Sequence, residues 1–280
     1  MGECTGLNWL ISLFYGLISG VTEIFPISAE AHRALIGMLF DVEVSPFVDL
    51  LIHVGVLIAL IVSCFPQLAK LYRERRLMAV PPRRRRRQPD LITLSNLRVL
   101  RVAILPLLLG FIAWPFTHNL TKSMWFSALM LTINGIVLYI TPYVPQGNKD
   151  ATTVSGLDGL LMGVGGALGA LPGISRIAGF TTAGVLRGCQ RQYVLDIALL
   201  LCIPAMLALI VLDVYFLIVA GVAVTGAWIL SGVLAMLIAA PTAYLCIVFL
   251  RYLSVKIGFS GFAYYSWGVA MLIFILYLTI

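Results

Sequence analysis

The sequence predicts an all-α polytopic membrane bundle built from two inverted repeats, each with a broken, re-entrant helical hairpin. Three observations carry that expectation. The 280-residue chain is 61% hydrophobic and 11% charged, with a mean hydropathy of +1.01, whereas soluble domains are about a quarter charged. Apolar runs long enough to cross a bilayer recur along its whole length. Two short polar stretches, residues 20–36 and 169–188, interrupt that pattern at corresponding places in the two halves. The runs are continuous in Leu, Ile, Val and Ala, without the alternation of a membrane β-barrel.

In chain order, the expected spans are about 7–23, 33–40 (short), 47–65, 98–116, 124–142, 157–170 (short), 178–188 (short), 194–212, 215–239, 241–254 and 262–280. All are read as helices, because backbone groups facing lipid must be satisfied within their own segment. The first run lacks a basic leader and a tidy cleavage site, and is read as part of the mature protein. Lys70, Arg73, Arg75, Arg76 and the run Arg83–Arg87 carry much of the net charge of +7. In a membrane protein such a cluster reads as a cytoplasmic loop, here about 66–97, that can touch anionic lipid. No nucleic-acid partner is expected. The chain is one membrane domain, 1–280, with halves at about 1–142 and 157–280.

The five cysteines, Cys4, Cys64, Cys189, Cys202 and Cys246, show no metal-ligand spacing and read as small apolar residues. Asn119-Leu120-Thr121 matches a glycosylation sequon or is simply a loop. Asp196 and Asp213 are expected at the two ends of the span 194–212.

Charges within apolar segments are costly and point to a functional cavity. The first polar stretch offers Glu23, Ser28, Glu30, His32 and Arg33. Ser28 and His32 are four apart, so one helical turn puts them on a common face. A His near a Ser and a carboxylate suits general acid, general base or nucleophilic work. Glu30 and Arg33 read equally well as interfacial charges at the hairpin mouth. Asp49 and His53, also four apart, either line the same cavity or form a satisfied polar pair. The second stretch offers the Pro172-Gly173 turn, Ser175, Arg176, Thr181, Thr182 and Arg187. A turn opening a helix exposes N–H groups that suit an anion, and Arg176 adds a planar fork matching phosphate oxygens. Together the two stretches imply an anionic, phosphorylated lipid substrate.

Gly20–His32 resembles the first signature of the bacterial undecaprenyl-diphosphate phosphatase family, also called bacitracin-resistance proteins, and Pro172–Gly188 resembles the second. The resemblance covers most of the chain. It implies hydrolysis of a C55 polyprenyl diphosphate to the monophosphate, an inverted-repeat fold, a bacterial inner-membrane location with the pocket open to the periplasm, and support by a divalent cation, Mg²⁺ or Ca²⁺. A homodimer is compatible with it. The family's second Glu maps onto Glu23, its first Ser onto Ser28, its His onto His32 and its Ser-Arg onto Ser175 and Arg176. On this basis His32, Ser28 and Glu23 are the expected catalytic residues. Arg176, Ser175 and Gly173 are expected to bind phosphate, and Glu23 and Glu30 the metal.

The match has gaps. The family's first Glu falls at Ser19, its second Ser at Ala29, its Ser-Gly at Ile177-Ala178 and its Thr at Phe180; a late Arg falls at Ser266. Ala29 has no oxygen to attack phosphorus, and Ser19 is a poor substitute for a carboxylate on a hard cation. Two compensations are open: Glu30 on the same hairpin restores the carboxylate, and Ser28 or His32 takes the nucleophile role or His32 activates water. Two readings follow: a phosphatase for cell-wall carrier recycling, or a non-hydrolytic transporter or binder of polyprenyl phosphate that keeps the pocket.

Overall fold

The computed structural model describes residues 9–40, 44–121, 123–145, 147–221, 224–256 and 259–279. Cys4 and the side chains of Asn119 and Thr121 lie outside the described set. Ten α-helices follow one another: α1 (Trp9–Ile24), α2 (Ala29–Phe40), α3 (Pro46–Ala79), α4 (Leu91–Thr121), α5 (Met124–Ile140), α6 (Gly156–Ala167), α7 (Arg176–Leu186), α8 (Arg191–Ala220), α9 (Gly226–Lys256) and α10 (Ser260–Thr279). Among the described residues, six segments, in α3, α4, α5 with the turn that follows it, α8, α9 and α10, are long and apolar enough to cross a membrane. This is a multi-pass helical membrane protein.

The short helices pair into two hairpins, α1–α2 and α6–α7, each broken at the expected polar stretch. The first break follows from Pro26, which has no N–H to donate to the helical ladder. Ile27 N–H turns back onto the Phe25 carbonyl at 2.8 Å, and Ser28 adopts a left-handed φ of 66°. The second break is a Leu171-Pro172-Gly173-Ile174 turn closed by Ile174 N–H on the Leu171 carbonyl at 3.1 Å. Gly173 has φ 100°, which favours glycine at that turn position. A Cβ there would also lie 2.6 Å from the Ser127 carbonyl of α5.

Helix directions follow from residues in register. Gly16 and Gly20 of α1 lie against Ala235 and Ala239 of α9, so close that an added Cβ would collide with the opposing backbone. These helices run parallel. Gly159 and Gly163 of α6 lie in the same way against Val99 and Ala103 of α4. Small residues four apart allow such backbone approach where lipid supplies no hydrophobic drive between helices. Leu51 and Gly55 of α3 face Gly232 and Met236 of α9, so α3 is parallel to α9. Hence α1–α2 enters from the end of the bundle where α3 begins. α6–α7 enters from the end where α3 finishes and α4 starts. The hairpin tips meet inside.

Three expectations need correction. The basic region is not a loop from 66: α3 continues as helix to Ala79 through Pro66, Lys70, Arg73, Arg75 and Arg76. Lys and Arg are good helix formers, and the polar end is tied down by its neighbours. Glu74 pairs with Arg87 and accepts the Asp90 N–H at 3.1 Å, and Lys70 Nζ reaches Asp90 at 2.6 Å. The non-helical linker is only 80–90, with one 3-10 turn at Pro82–Arg84. The spans expected at 215–239 and 241–254 are divided differently: 215–220 end α8, and Gly226–Lys256 form one helix, α9, with Pro241 inside it. Asp213 does not end a span, because α8 continues to Ala220. Cys64, Cys189, Cys202 and Cys246 are buried free thiols.

The linker contact has a defined pH range. The Lys70 ammonium, helped by the Thr93 hydroxyl, holds the Asp90 carboxyl down at about 2, against about 3.9 in an unfolded chain. A depressed carboxyl favours the folded form above the unfolded pKa, and this contribution fades as pH falls from about 4 to about 2. At neutral pH the contribution of the Lys70–Asp90 pair is therefore fully present. Asp90→Asn is expected to increase tryptic cleavage at Arg83–Arg87 several-fold at pH 8, and an unchanged digestion rate would contradict this.

Candidate functional site

The two tips are bonded to each other. Gly173 N–H donates to Ser28 Oγ at 3.1 Å. Asn134 of α5 fastens both: its Nδ2 donates to the Pro26 carbonyl at 2.9 Å, and its Oδ1 accepts Ser175 N–H at 2.9 Å. Ser175 also caps α7, its Oγ accepting Ala178 N–H at 3.4 Å. The start of α7 thus points its N–H groups at the junction, where the helix dipole favours an anion.

Glu23 sits at the end of α1 with its side chain fully buried. One oxygen, Oε1, accepts from Arg33 Nη1 at 2.8 Å, with His53 Nε2 at 3.4 Å. The other, Oε2, is bonded by Arg176 across the hairpin junction. Behind this carboxylate the network continues. His53 Nδ1–H donates to Asp213 Oδ2 at 2.6 Å, its Nε2 lies 3.2 Å from Arg33 Nη1, and Asp49 accepts from the Tyr15 hydroxyl at 2.8 Å. Five elements, α1, α2, α3, α7 and α8, supply charges or polar groups to one buried cluster. Such pairing is what permits ionic groups in a low-dielectric interior.

Around the junction lies a narrow cleft lined by Glu23, Ser28, Ala29, Glu30, Ser175 and Arg176, with a free volume of about 10 Å³. That is room for roughly one water. The structure therefore brings together Glu23, Ser28, Glu30, Ser175 and Arg176, with Gly173 bonded to Ser28 at its rim. Glu30 and Arg33 are not mouth charges: one lines the cleft and the other clamps Glu23.

His32 departs from the expected arrangement. Its ring does not meet the Ser28 hydroxyl. Nδ1–H donates to the Ser28 carbonyl at 2.7 Å, one helical turn back, and Nε2 accepts from the Tyr265 hydroxyl of α10 at 2.9 Å. A carbonyl can only accept, so the proton resides on Nδ1. The left-handed turn at Ser28 turns its hydroxyl toward Gly173 and its carbonyl toward the imidazole.

Of the two residues expected to hold Mg²⁺ or Ca²⁺, Glu23 is committed elsewhere as it stands, and Glu30 lines the same cleft. Hard cations seek several uncommitted oxygens, and both Glu23 oxygens are held by guanidinium groups. Among the described residues no three His, Cys, Asp or Glu side chains form a metal-binding group.

Reasoning from sequence did not find Asn134. Its signal was present: an amide within the apolar run 124–142 is a buried polar group that needs partners. Asn134→Ala would leave the Pro26 carbonyl and Ser175 N–H without their partner, at about 1–3 kcal/mol each. Thermal unfolding in detergent is expected to show a loss of about 2–4 kcal/mol; a change below about 0.5 kcal/mol would mean the tips are held by other contacts.

Comparison with known proteins identifies the family. The family model described as bacitracin resistance protein BacA matches residues 12–272, which include both hairpins. The chain belongs to the BacA family. Among curated relatives, the undecaprenyl-diphosphatase of Carboxydothermus hydrogenoformans is 27% identical over 271 residues, covering 95% of this chain and 97% of that one. The undecaprenyl-diphosphatase of Paenarthrobacter aurescens is 28% identical over 206 residues, 71% of this chain and 72% of that one. That of Methanobrevibacter smithii is 26% identical over 269 residues, 94% and 95% of the two chains. Set against the BacA signatures, the substituted positions of this member have clear surroundings. Ala29 lines the cleft. Ser19 is buried with its Oγ unpartnered. Phe180 is fully buried.

Proposed function

We propose that this BacA-family chain hydrolyses undecaprenyl, or another polyprenyl, diphosphate to the monophosphate and inorganic phosphate. The observation that carries this reading is the buried Glu23–Arg176 pair joining two broken hairpins beside a helix N-terminus. It places an anion-binding fork and a carboxylate at one point inside a membrane bundle. The names of the relatives support a hydrolase over a transporter.

The cleft holds about 10 Å³ of free space, so a phosphate enters only if a side chain moves. Arg176 turns from Glu23 to the terminal phosphate oxygens, which the N–H groups at the start of α7 also meet. Glu23 Oε2 is then released while Arg33 and His53 keep Oε1 in place. A water takes the vacated space and attacks the terminal phosphorus. Its proton passes to Glu23, the bond from phosphorus to the bridging oxygen breaks, and that electron pair stays on the lipid monophosphate. Arg176 offsets charge on the transferred group. Ser28, bonded to Gly173, holds the two tips in register, and His32 holds Ser28.

For placement we propose a bacterial inner membrane, with the end carrying the 66–97 basic region in the cytoplasm. Lys149, Arg187, Arg191 and Arg251 lie toward that same end, which supports this orientation. The α1–α2 hairpin then enters from the periplasmic side. The opposed hairpins and the matched α1–α9 and α4–α6 seams support an inverted repeat.

The test is phosphate release by purified protein from undecaprenyl diphosphate in detergent. Turnover by the wild type that is lost in Arg176→Ala is expected. An inactive, well-folded wild type that still scrambles lipid phosphate across liposomes would overturn the reading.

A further inference from the structure

Two apolar grooves flank α10. The larger, about 660 Å³, lies between α5 and α10 and is lined by residues such as Trp125, Leu129, Trp267 and Phe274. No lining residue of either groove belongs to the cleft itself. The smaller, about 420 Å³, is lined by Phe25, Ile27, Phe249, Leu253, Phe262 and Tyr265. Size favours the first, but continuity with the site favours the second. Phe25 and Ile27 lie between Glu23 and Ser28 in the first broken turn. Tyr265 lines the groove and bonds His32 through its hydroxyl at 2.9 Å. The Phe25 ring packs on Phe249 and Phe262 at centroid distances of 6.1 and 5.0 Å, forming an aromatic wall.

One further position shows that this groove is open. Gly261, in the first turn of α10, has no heavy atom within 4 Å of where a Cβ would stand. Gly261 lines the groove, so a side chain can be added at its edge without colliding with the existing wall.

We propose that the groove between α9 and α10, walled by Phe25, Phe249, Phe262 and Tyr265, binds the first isoprene units of the lipid substrate. This rests on the phosphatase reading above. The groove is of a size that buries a drug-sized apolar ligand, roughly the first three or four units of a longer chain. Ile27 guides the chain from the diphosphate over the broken turn, and the tail leaves through the half of the bundle that holds Arg251. The Tyr265 hydroxyl, fixed by His32, marks the boundary between the wet head and the dry tail.

The test compares diphosphates of increasing prenyl length. For wild type, kcat/KM is expected to rise at least tenfold from dimethylallyl (C5) to geranylgeranyl (C20) diphosphate and then to level off. Gly261→Phe, which fills the groove, should bring the C20-to-C5 ratio close to one, mainly through KM. Leu129→Phe, in the other groove, should keep the wild-type ratio. A wild-type ratio in Gly261→Phe, or a collapse in Leu129→Phe, would overturn the assignment. A second measurement needs no turnover: a diazirine-bearing prenyl monophosphate should label Phe249 or Leu253 in wild type, with labelling displaced by undecaprenyl phosphate. Labelling displaced equally by phospholipid would mean an ordinary lipid contact and sink the proposal. Labelling without hydrolysis would instead fault the phosphatase reading and leave the groove standing.

Discussion

Arg176→Ala is expected to lower the kcat for phosphate release by about 10³-fold or more. Arg176 is the guanidinium that lines the cleft, and it sits where α7 begins, so charge building on the transferred phosphoryl group has its strongest donor there. Much of the effect should fall on kcat, because the helix N-terminus and the apolar tail still bind the ground state. Arg176→Lys should restore only a small part, since an ammonium lacks the two-pronged geometry that matches phosphate oxygens. Stability should also fall, because Arg176 belongs to a buried ionic cluster, but less than in Glu23→Gln: Glu23 keeps Arg33 at 2.8 Å and His53 at 3.4 Å after Arg176 is gone. A variant within tenfold of wild type would remove Arg176 from the reaction.

Glu23→Gln should damage both folding and activity. The carboxylate is shared by Arg33, Arg176 and His53, and its side chain has no exposure to solvent. Removing its charge leaves two guanidiniums facing each other in a low-dielectric interior. Loss of one member of a buried ionic cluster costs about 3–5 kcal/mol, and phosphate release should become undetectable. The double variant Glu23→Gln/Arg33→Met separates the two effects. It removes one negative and one positive charge together, so thermal stability should recover by about half or more of the loss. Activity should not recover, because the proton acceptor is still missing. A double variant as unstable as the single one would place the cost elsewhere in the cluster.

Much of this arrangement was legible in the sequence, and what was missed has physical reasons. The two broken hairpins announced themselves through Pro26, Pro172 and Gly173, because prolines and turn glycines act locally. Glu23 and Arg176 were conspicuous as charges in apolar surroundings. What local pattern does not carry is partnership across the chain. His53 and Asp213 are 160 residues apart, and Asp213 seemed to belong at a span's end because a charge usually terminates an apolar run; the imidazole neutralises that cost and lets α8 continue. The Ser28–His32 spacing was read correctly as one helical turn. The left-handed backbone at Ser28, which periodicity does not reveal, gives the imidazole a carbonyl instead of a hydroxyl. The polar extension of α3 was mistaken for a loop because hydropathy reports where lipid ends, not where helix ends.

The crossed seams, α1 on α9 and α6 on α4, also bear on how the molecule is made. The seam partner of each hairpin's first helix, α9 for α1 and α4 for α6, comes from the other half of the chain. The small-residue face of α1, with Glu23 at its inner end, emerges from the ribosome long before Ala235 and Ala239 exist to cover it. At 5–20 residues per second, the wait between Ile24 and Ala239 is roughly ten to forty seconds. A nascent chain therefore holds an unsheltered charged hairpin for most of its synthesis. A product truncated after α8 would keep both hairpins but lack the wall of one, which makes it a substrate for membrane quality control rather than a half-active enzyme.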